Sequence, residues 1–329
     1  MLDNTFISQD TPDLKELDET LRPRFFREFV GQEETKKIKI FVEAAKKRGD
    51  VLEHFLFYGP PGLGKTTLAH ILANEMGKSL KTITGPSISK VGDLTAVLTN
   101  LSEGDFLFID EIHRLPSAVE EVLYSAMEDY ALDIVLGKGP SARTARIDLQ
   151  PFTLVGATTK AGLLTKPLRD RFGSIHKLKF YSNKALAIIV KRSAKILNVP
   201  IQEEAALEIA KRSRGTPRIA NRLLKRVRDI SQFNKESTIT VNSVYKACEI
   251  LNIDSEGLDN EDRHYLRVIL NDFEGGPVGL STLCASLSED KTTIEEVIEP
   301  LLIKKGFLKR TPSGRVITQK GRDHLAKFK

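Results

Sequence analysis

The sequence predicts an α/β domain built on a parallel β-sheet, followed by a small all-α domain and a C-terminal winged-helix domain. Three observations favour this fold class. Short apolar strands alternate with amphipathic helices over residues 1–181, which is the pattern of a parallel sheet with flanking helices. Residues 182–254 turn basic and show only helical periodicity. Residues 255–329 combine three helical segments with a closing hairpin, the plan of a winged helix.

The first domain is organised around a glycine-rich loop, Gly59–Thr67, with the sequence GPPGLGKTT. It matches the G-x-x-x-x-G-K-[ST] pattern of a phosphate-binding P-loop. The loop follows an apolar run at 55–58 and precedes a helical segment at 68–73. A strand that leads through such a loop into a helix directs backbone N–H groups and the positive end of the helix dipole at one point, which suits a triphosphate. The alternative is a glycine-rich turn with an incidental lysine.

Individual residues of this loop have separate expected roles. Gly62 and Gly64 carry no Cβ, so the backbone can approach a phosphate closely. Lys65 supplies a positive charge to the β- and γ-phosphates, and the hydroxyl of Thr66 can bind Mg²⁺. The expected ligands are therefore ATP and Mg²⁺, contacted by Gly62, Gly64, Lys65, Thr66 and Thr67.

Two carboxylates supply the second half of the predicted ATP site. Asp110 and Glu111 follow the apolar strand at 106–109. At the carboxyl end of a strand, Asp110 can hold Mg²⁺ through its water shell, and Glu111 can polarise the attacking water. The alternative is a pair of solvated acids at a strand end, which the P-loop makes the weaker interpretation.

Three more positions are candidates because of their place in the pattern. The apolar strand at 152–159 ends in hydroxyl residues, of which Thr158 can orient the hydrolytic water, or it is a strand-end threonine with satisfied hydrogen bonds. Arg171 lies on a short helix that ends at a glycine. Arg218 follows a Gly-Thr-Pro helix start and can point back at a nucleotide, or it is a solvated arginine.

The segments 130–136 and 145–149 alternate apolar and polar residues on either side of a glycine turn, which predicts a β-hairpin over about 130–149. Its apolar face belongs either to the core or to an exposed docking patch. Residues 254–259 are polar and predict a linker. The remaining predicted elements are strands at 80–84 and 176–180 and helices at 33–47, 91–101, 118–127, 187–197, 203–212, 217–231, 242–251, 265–273, 280–287 and 292–304.

Charge is distributed unevenly along the chain. Residues 1–181 hold 24 Lys and Arg against 25 Asp and Glu, residues 182–254 hold 14 against 7, and from residue 301 onward the count is 9 against 1. Arg310 and Arg315 flank the turn of the closing hairpin, where they can meet DNA phosphates or a groove. The alternative is a protein-binding winged helix with a solvated hairpin.

Composition excludes other classes. The two cysteines, Cys248 and Cys284, have neither metal-like spacing nor disulfide-like density. No apolar stretch is long enough to predict a membrane helix, and the acidic leader at 1–20 does not have the pattern of a signal peptide. The sequence predicts a soluble, cytoplasmic protein.

With these parts assembled, the chain resembles the RuvB family of the AAA+ class, the motor ATPases of bacterial Holliday-junction branch migration. The resemblance runs essentially from end to end. It is carried most specifically by YGPPGLGKTT at 58–67, FIDEIHRL at 108–115, GATT at 156–159 and LRDRFG at 168–173.

The resemblance implies an ATP-driven DNA translocase that works as a hexameric ring in recombination and repair. It implies DNA as partner, RuvA docked on the 130–149 hairpin, and the resolvase RuvC in the larger complex. Thr158 becomes the sensor threonine, and Arg171 becomes an arginine finger that reaches ATP on the neighbouring subunit. It implies DNA contacts for Arg310 and Arg315, and nucleotide contacts for Leu21, Arg22, Glu128, Asp129, Tyr130, Tyr181 and Arg218.

Two other classes remain open at the level of sequence. A clamp-loader-type AAA+ subunit of DNA replication would share the ATPase half but should end in a helical collar. A DNA-binding regulator with a degenerate nucleotide site should lack Lys65, Glu111 or Arg171, and all three are present.

Overall fold

The computed structural model describes residues 19–136 and 143–328. These residues form two compact units. The first, called here the α/β unit, comprises Arg22–Gly59 and Leu63–Lys179. The second, called here the helical unit, comprises residues 19–21, Pro60–Gly62 and residues 180–328. Residues 182–254 and 255–328, which the sequence assigns to separate domains, are therefore gathered in one unit.

The α/β unit contains a five-stranded parallel sheet. From one side to the other its strands are β2 (Leu80–Thr84), β3 (Phe106–Asp110), β6 (Thr153–Thr158), β1 (Phe55–Tyr58) and β7 (Ser174–Lys177). The central strands are mainly apolar and are buried except at Tyr58 and Asp110, their partly exposed last residues, as expected for a sheet covered on both faces. The predicted parallel α/β fold is confirmed.

Five helices accompany this sheet. In the first of them Ile38, Val42 and Ala45 recur on one face and are buried, while the charged residues lie outside. It ends at Gly49, whose φ of 76° is left-handed. The helices are α1 (Glu34–Arg48), α2 (Lys65–Met76), α3 (Val91–Leu98), α4 (Ser117–Glu128) and α5 (Lys166–Asp170).

The predicted hairpin is present as β4 (Ala131–Leu136) paired antiparallel with β5 (Arg143–Asp148). Ala131 and Leu132 at its base are buried. The predicted turn between the two strands lies outside the described residues, and the docking role of this hairpin stays a prediction.

The helical unit opens with the four helices that the sequence predicts. The longest buries Ala220, Leu223, Leu224 and Val227 along one face. Three of the four begin at a Ser or Thr whose hydroxyl accepts a backbone N–H, which fixes their start. They are α6 (Asn183–Ile196), α7 (Glu203–Arg212), α8 (Pro217–Phe233) and α9 (Val241–Ile250).

The winged-helix plan of the C-terminal part is confirmed, with one additional short helix at the end. A π-helical turn, Ile294–Ile298, joins α12 to α13. The hairpin strands pair with Arg310 opposite Arg315. The elements are α10 (Asn260–Asn271), α11 (Leu280–Leu287), α12 (Lys291–Thr293), α13 (Glu299–Lys305), β8 (Leu308–Thr311), β9 (Gly314–Ile317) and α14 (Gln319–Leu325).

Two sequence predictions are corrected here. The fifth strand of the sheet begins at Ser174 rather than at 176, because its inward-facing residues are Ser174 and His176, which bond each other, while Ile175 is exposed. The segment 254–259 is not a solvated linker. Asp254 is buried and bonds Arg263 and His324. Asp259 caps α10, which begins at Asn260, five residues before the predicted helix start at 265.

Candidate nucleotide-binding site

Strand register brings the predicted phosphate-binding and catalytic residues to one edge of the sheet. Tyr58, the last residue of β1, lies opposite Thr158, the last residue of β6. The next N–H, from Gly59, donates to the carbonyl of Thr158 over 3.2 Å. Since β3 pairs parallel with β6, Asp110 reaches the same edge. Ligands of open α/β sheets bind at this carboxyl edge.

The glycine loop has the backbone that phosphate binding requires. Gly59, Gly62 and Gly64 have φ of 141°, 77° and 101°, the region that favours glycine. A Cβ on Gly59 would stand 2.7 Å from the carbonyl oxygen of Leu178. Lys65, which is only 7% exposed, donates from Nζ to the carbonyl of Gly59 over 2.8 Å.

The loop leads into a helix start that suits an anion. Helix α2 begins at Lys65, and no side chain caps it. The N–H groups of its first turn point out of the helix start, and the positive end of the helix dipole adds to their field. Thr66 and Thr67 lie in this first turn and are partly exposed.

The two acidic residues sit on a strained turn. Asp110 ends β3 and accepts the N–H of Glu111 at 3.0 Å. Glu111 has φ 49° and ψ 44°, a left-handed conformation that costs a non-glycine residue on the order of 1–3 kcal/mol. The turn packs on Gly85, where a Cβ would stand 2.4 Å from the carbonyl oxygen of Glu111. This conformation turns the chain sharply directly after β3, at the carboxyl edge of the sheet.

Two threonines lie beside Glu111 in different ways. Thr158, the predicted sensor, is fully buried, and its Oγ1 lies 2.9 Å from Nδ1 of His113. The same nitrogen lies 3.2 Å from Oε2 of Glu111. Thr159 is partly exposed and donates directly to that oxygen over 3.4 Å. His113, Thr159 and Gly85 lie against Glu111 and were not among the residues selected from the sequence, although His113 and Thr159 lie inside the motifs quoted above.

Arg171 lies near the opposite side of the sheet, the amino edge, where the parallel strands begin. It stands three residues before β7, whose first residue is opposite Phe55, the first residue of β1. Its Nη2 donates to Oε2 of Glu128 at 2.8 Å, and its guanidinium lies 4.8 Å from the ring centre of Tyr124. The carbonyl before Glu128 bonds His54, which immediately precedes β1. Arg171 and Glu128 thus share a surface at the amino edge, away from their own P-loop.

His54 secures this amino edge in one protonation state. Its Nδ1 accepts the N–H of Leu154 at 2.9 Å, and its Nε2 donates to the carbonyl of Met127 at 3.0 Å. Burial lowers the pKa of the imidazole below its ordinary value. The neutral ring is the form that fits, because protonated Nδ1 would face an N–H donor.

The remaining predicted nucleotide contacts are spread over both units. Within the helical unit Tyr181 is buried and its N–H donates to Gly215, while the carbonyl of Leu21 accepts from Arg192. In that unit the Cβ of Arg218 lies 3.2 Å from the place where Gly62 would carry one. Arg22, Asp129 and Tyr130 belong to the α/β unit.

Arg310 and Arg315 lie on the wing, the hairpin formed by β8 and β9, and both are held by a buried acid. Glu299 on α13 is fully buried and accepts from Nε of Arg310 at 2.5 Å, Nε of Arg315 at 2.8 Å and the hydroxyl of Tyr265 at 2.6 Å. The side chain of Arg315 is 14% exposed, whereas that of Arg310 is 44% exposed. Arg310 therefore keeps an open side for a phosphate, while Arg315 is mainly committed to Glu299 and Glu295.

Neither a metal-binding cluster nor a membrane span is found in residues 19–136 and 143–328. No group of three or more His, Cys, Asp or Glu side chains there could hold a metal ion. A magnesium ion bound beside a triphosphate needs only one or two protein ligands, so Thr66 and Asp110 fit it by the chemistry of their oxygen donors. No helix in the described part of the chain is long and apolar enough to cross a membrane.

Comparison with known proteins covers nearly the whole chain. Family models match as the Holliday junction DNA helicase RuvB P-loop domain at 21–178, the RuvB AAA lid domain at 181–254 and the RuvB C-terminal winged helix domain at 255–326. The chain is 56% identical over 319 residues to a Fusobacterium nucleatum protein described as Holliday junction branch migration complex subunit RuvB, covering 97% of this chain and 96% of that protein.

Solved structures agree with these matches. The Thermotoga maritima RuvB Holliday junction branch migration motor is 53% identical with a TM-score of 0.86, covering 93% of this chain and 98% of that one. A single-residue variant of that Thermotoga protein is 54% identical with a TM-score of 0.87 over the same shares of the two chains.

Proposed function

The chain belongs to the RuvB family, and on that premise we propose that it is the ATP-driven motor of Holliday junction branch migration in recombination and repair. Its fold is a P-loop AAA+ domain with a lid and a winged helix. One observation carries the chemistry. Lys65, Asp110 and Glu111 meet at the carboxyl edge of one parallel sheet, beside a loop with the backbone of a phosphate cradle.

Within this site each side chain has a defined task. The ammonium of Lys65 leaves the carbonyl of Gly59 for the phosphates, and Glu111 orients and polarises the attacking water. We assign Mg²⁺ to Thr66 and Asp110, where it would draw negative charge from the phosphate oxygens. Thr158 is retained as the sensor threonine, and Gly62, Gly64 and Thr67 complete the phosphate cradle.

Arg171 is proposed to act on the neighbouring subunit. Its own P-loop follows the carboxyl end of β1, while Arg171 lies near the amino end of that strand. It can therefore complete a site only across an interface, as an arginine finger in trans. Glu128, Asp129 and Tyr130 are assigned to the same interface, because Glu128 already holds Arg171. We propose that the assembly is a hexameric ring.

Contacts outside this edge are assigned by family membership. Leu21, Arg22 and Tyr181 are proposed to contact the nucleotide, and Arg218 is proposed as the arginine through which the lid senses it. The proximity of Arg218 to Gly62 supports that role.

Three partners complete the proposal. DNA is contacted through the wing, with Arg310 better placed than Arg315 because more of its side chain is exposed. Such contacts to phosphate are independent of sequence and sensitive to salt. We assign RuvA to the hairpin at 130–149 and RuvC to the larger complex, all in the cytoplasm.

The clamp-loader alternative expects a helical collar after the lid, but residues 255–326 match a winged helix instead. The decisive experiment is ATP-dependent dissociation of a synthetic four-way DNA junction, with and without RuvA. We expect dissociation that needs ATP and Mg²⁺ and is faster with RuvA. ATPase stimulation by a sliding clamp but not by a junction with RuvA would contradict the proposal.

A further inference from the structure

The imidazole of His113 lies between the proposed water-activating carboxylate and the buried strand-end threonine. We propose that His113 is a positioning residue for ATP hydrolysis, which couples the hydroxyl of Thr158 to the carboxylate of Glu111. The inference rests on the ATPase activity proposed above and deepens it.

His113 is held firmly in place. It lies in a 3₁₀ turn, Ile112–Arg114, that follows Glu111 directly, and Ile112 anchors this turn in the core. The side chain of His113 is only 8% exposed. The left-handed backbone of Glu111 folds its own carboxylate back toward this ring. A ring so confined can transmit a change at one neighbour to the other.

One nitrogen of the ring faces both partners. Nδ1 lies 2.9 Å from Oγ1 of Thr158 and 3.2 Å from Oε2 of Glu111. A ring nitrogen accepts when it carries no proton and donates when it does. In the neutral ring Nδ1 therefore either accepts a hydrogen bond from the hydroxyl of Thr158, with the ring proton on Nε2, or carries that proton itself and donates to Glu111, and the two bonds exclude each other.

The surroundings of Thr158 favour such an exchange. The N–H of Lys160 donates to its Oγ1 at 2.9 Å, which uses one lone pair and leaves the hydroxyl proton for another acceptor. Because Thr158 is fully buried, the route from its hydroxyl to the carboxylate runs through His113. When Thr158 donates to the ring, Glu111 is released from it. When the ring donates to Glu111, this hydrogen bond fixes the position of the carboxylate.

A pair of substitutions separates positioning from packing. His113→Leu fills the space without a hydrogen-bonding atom, whereas His113→Asn keeps a polar group near the position of Nδ1. We expect His113→Leu to lower kcat for ATP hydrolysis about 10–100-fold, the usual effect of losing an outer-shell partner. The KM and the Kd for ATP should change less than about threefold, because no phosphate contact is lost. His113→Asn should recover most of the turnover.

A double-mutant cycle supplies the second readout. If Thr158 acts through the ring, Thr158→Val should lower kcat in the wild-type background and have little further effect in His113→Leu. The melting temperature of every variant, with and without ATP, reports damage to the fold. His113→Leu at wild-type turnover would overturn the inference. So would equal losses in the Leu and Asn variants with a lowered melting temperature, since packing alone would explain them. A wild-type protein that hydrolyses no ATP would instead overturn the proposed function.

Discussion

Arg171 offers the most direct test of where hydrolysis takes place. In this structure its guanidinium bonds Glu128 and the carbonyl of Pro167 and stacks on Tyr124, all within its own subunit near the amino edge of the sheet. Arg171→Ala removes none of the P-loop contacts, so ATP binding should persist. An arginine finger supplied in trans contributes about 10³–10⁵ in turnover, which corresponds to roughly 4–7 kcal/mol of transition-state stabilisation. Hydrolysis should therefore fall by that factor.

Mixed assemblies decide whether the finger acts in trans. Lys65→Ala damages the phosphate cradle of its own subunit but leaves Arg171 intact. When Arg171→Ala and Lys65→Ala subunits are mixed in equal amounts, roughly a quarter of the interfaces pair an intact cradle with an intact finger. ATPase activity should then rise well above that of either parent. A mixture as inactive as its parents, with mixed assembly verified by differently tagged subunits, would refute the trans assignment.

Three further predictions follow from single contacts. Gly85→Ala places a Cβ against the carbonyl of Glu111 and should lower kcat about 10–100-fold in steady-state ATPase assays. Gly92→Ala, whose Cβ would stand in open space, is the control. Equal activities of the two variants would show that the turn at Glu111 does not affect catalysis. Because burial lowers the pKa of His54 in the folded state, its stabilising contribution is complete above the unfolded-state pKa of about 6.5 and is lost progressively as the pH falls from there toward the lowered folded-state pKa. In urea unfolding, the free energy of unfolding should accordingly fall less between pH 7.5 and pH 5.5 for His54→Gln than for the wild type. An equal fall in both proteins would contradict this. Arg310→Ala should weaken duplex DNA binding in fluorescence titrations and reduce the slope of log K against log salt concentration by about one, while DNA-free ATPase activity stays intact. An unchanged slope would contradict a contact between Arg310 and a DNA phosphate.

The sequence predicts the strands and the phosphate loop well because both depend on local pattern. The buried runs at β1, β3 and β6 are continuous and apolar, and the glycine positions of the loop follow from the backbone that phosphate requires. Strand β7 is misplaced because its inner face is Ser174 and His176, polar residues that satisfy each other and conceal the alternation.

The details of the site depend on contacts that no local pattern records. Thr158 and Thr159 are adjacent in sequence, but the first is buried and the second is partly exposed beside Glu111, so pattern alone cannot distinguish their roles. The charge count from residue 301 onward omits Glu299, whose single carboxylate bonds both wing arginines and offsets one of their two positive charges. The predicted DNA-binding charge is therefore smaller than the sequence indicates.

The placement of Arg171 and the P-loop near opposite edges of one sheet constrains any assembly that catalyses by a finger in trans. Each subunit then gives its guanidinium from the amino edge and receives another at the carboxyl edge, so the two surfaces that meet are different. Such a heterologous interface repeats from subunit to subunit and produces either a closed ring or an open filament. In a filament the terminal cradle has no finger, whereas in a ring every cradle has one. On the proposed trans mechanism a closed ring is therefore the fully active form.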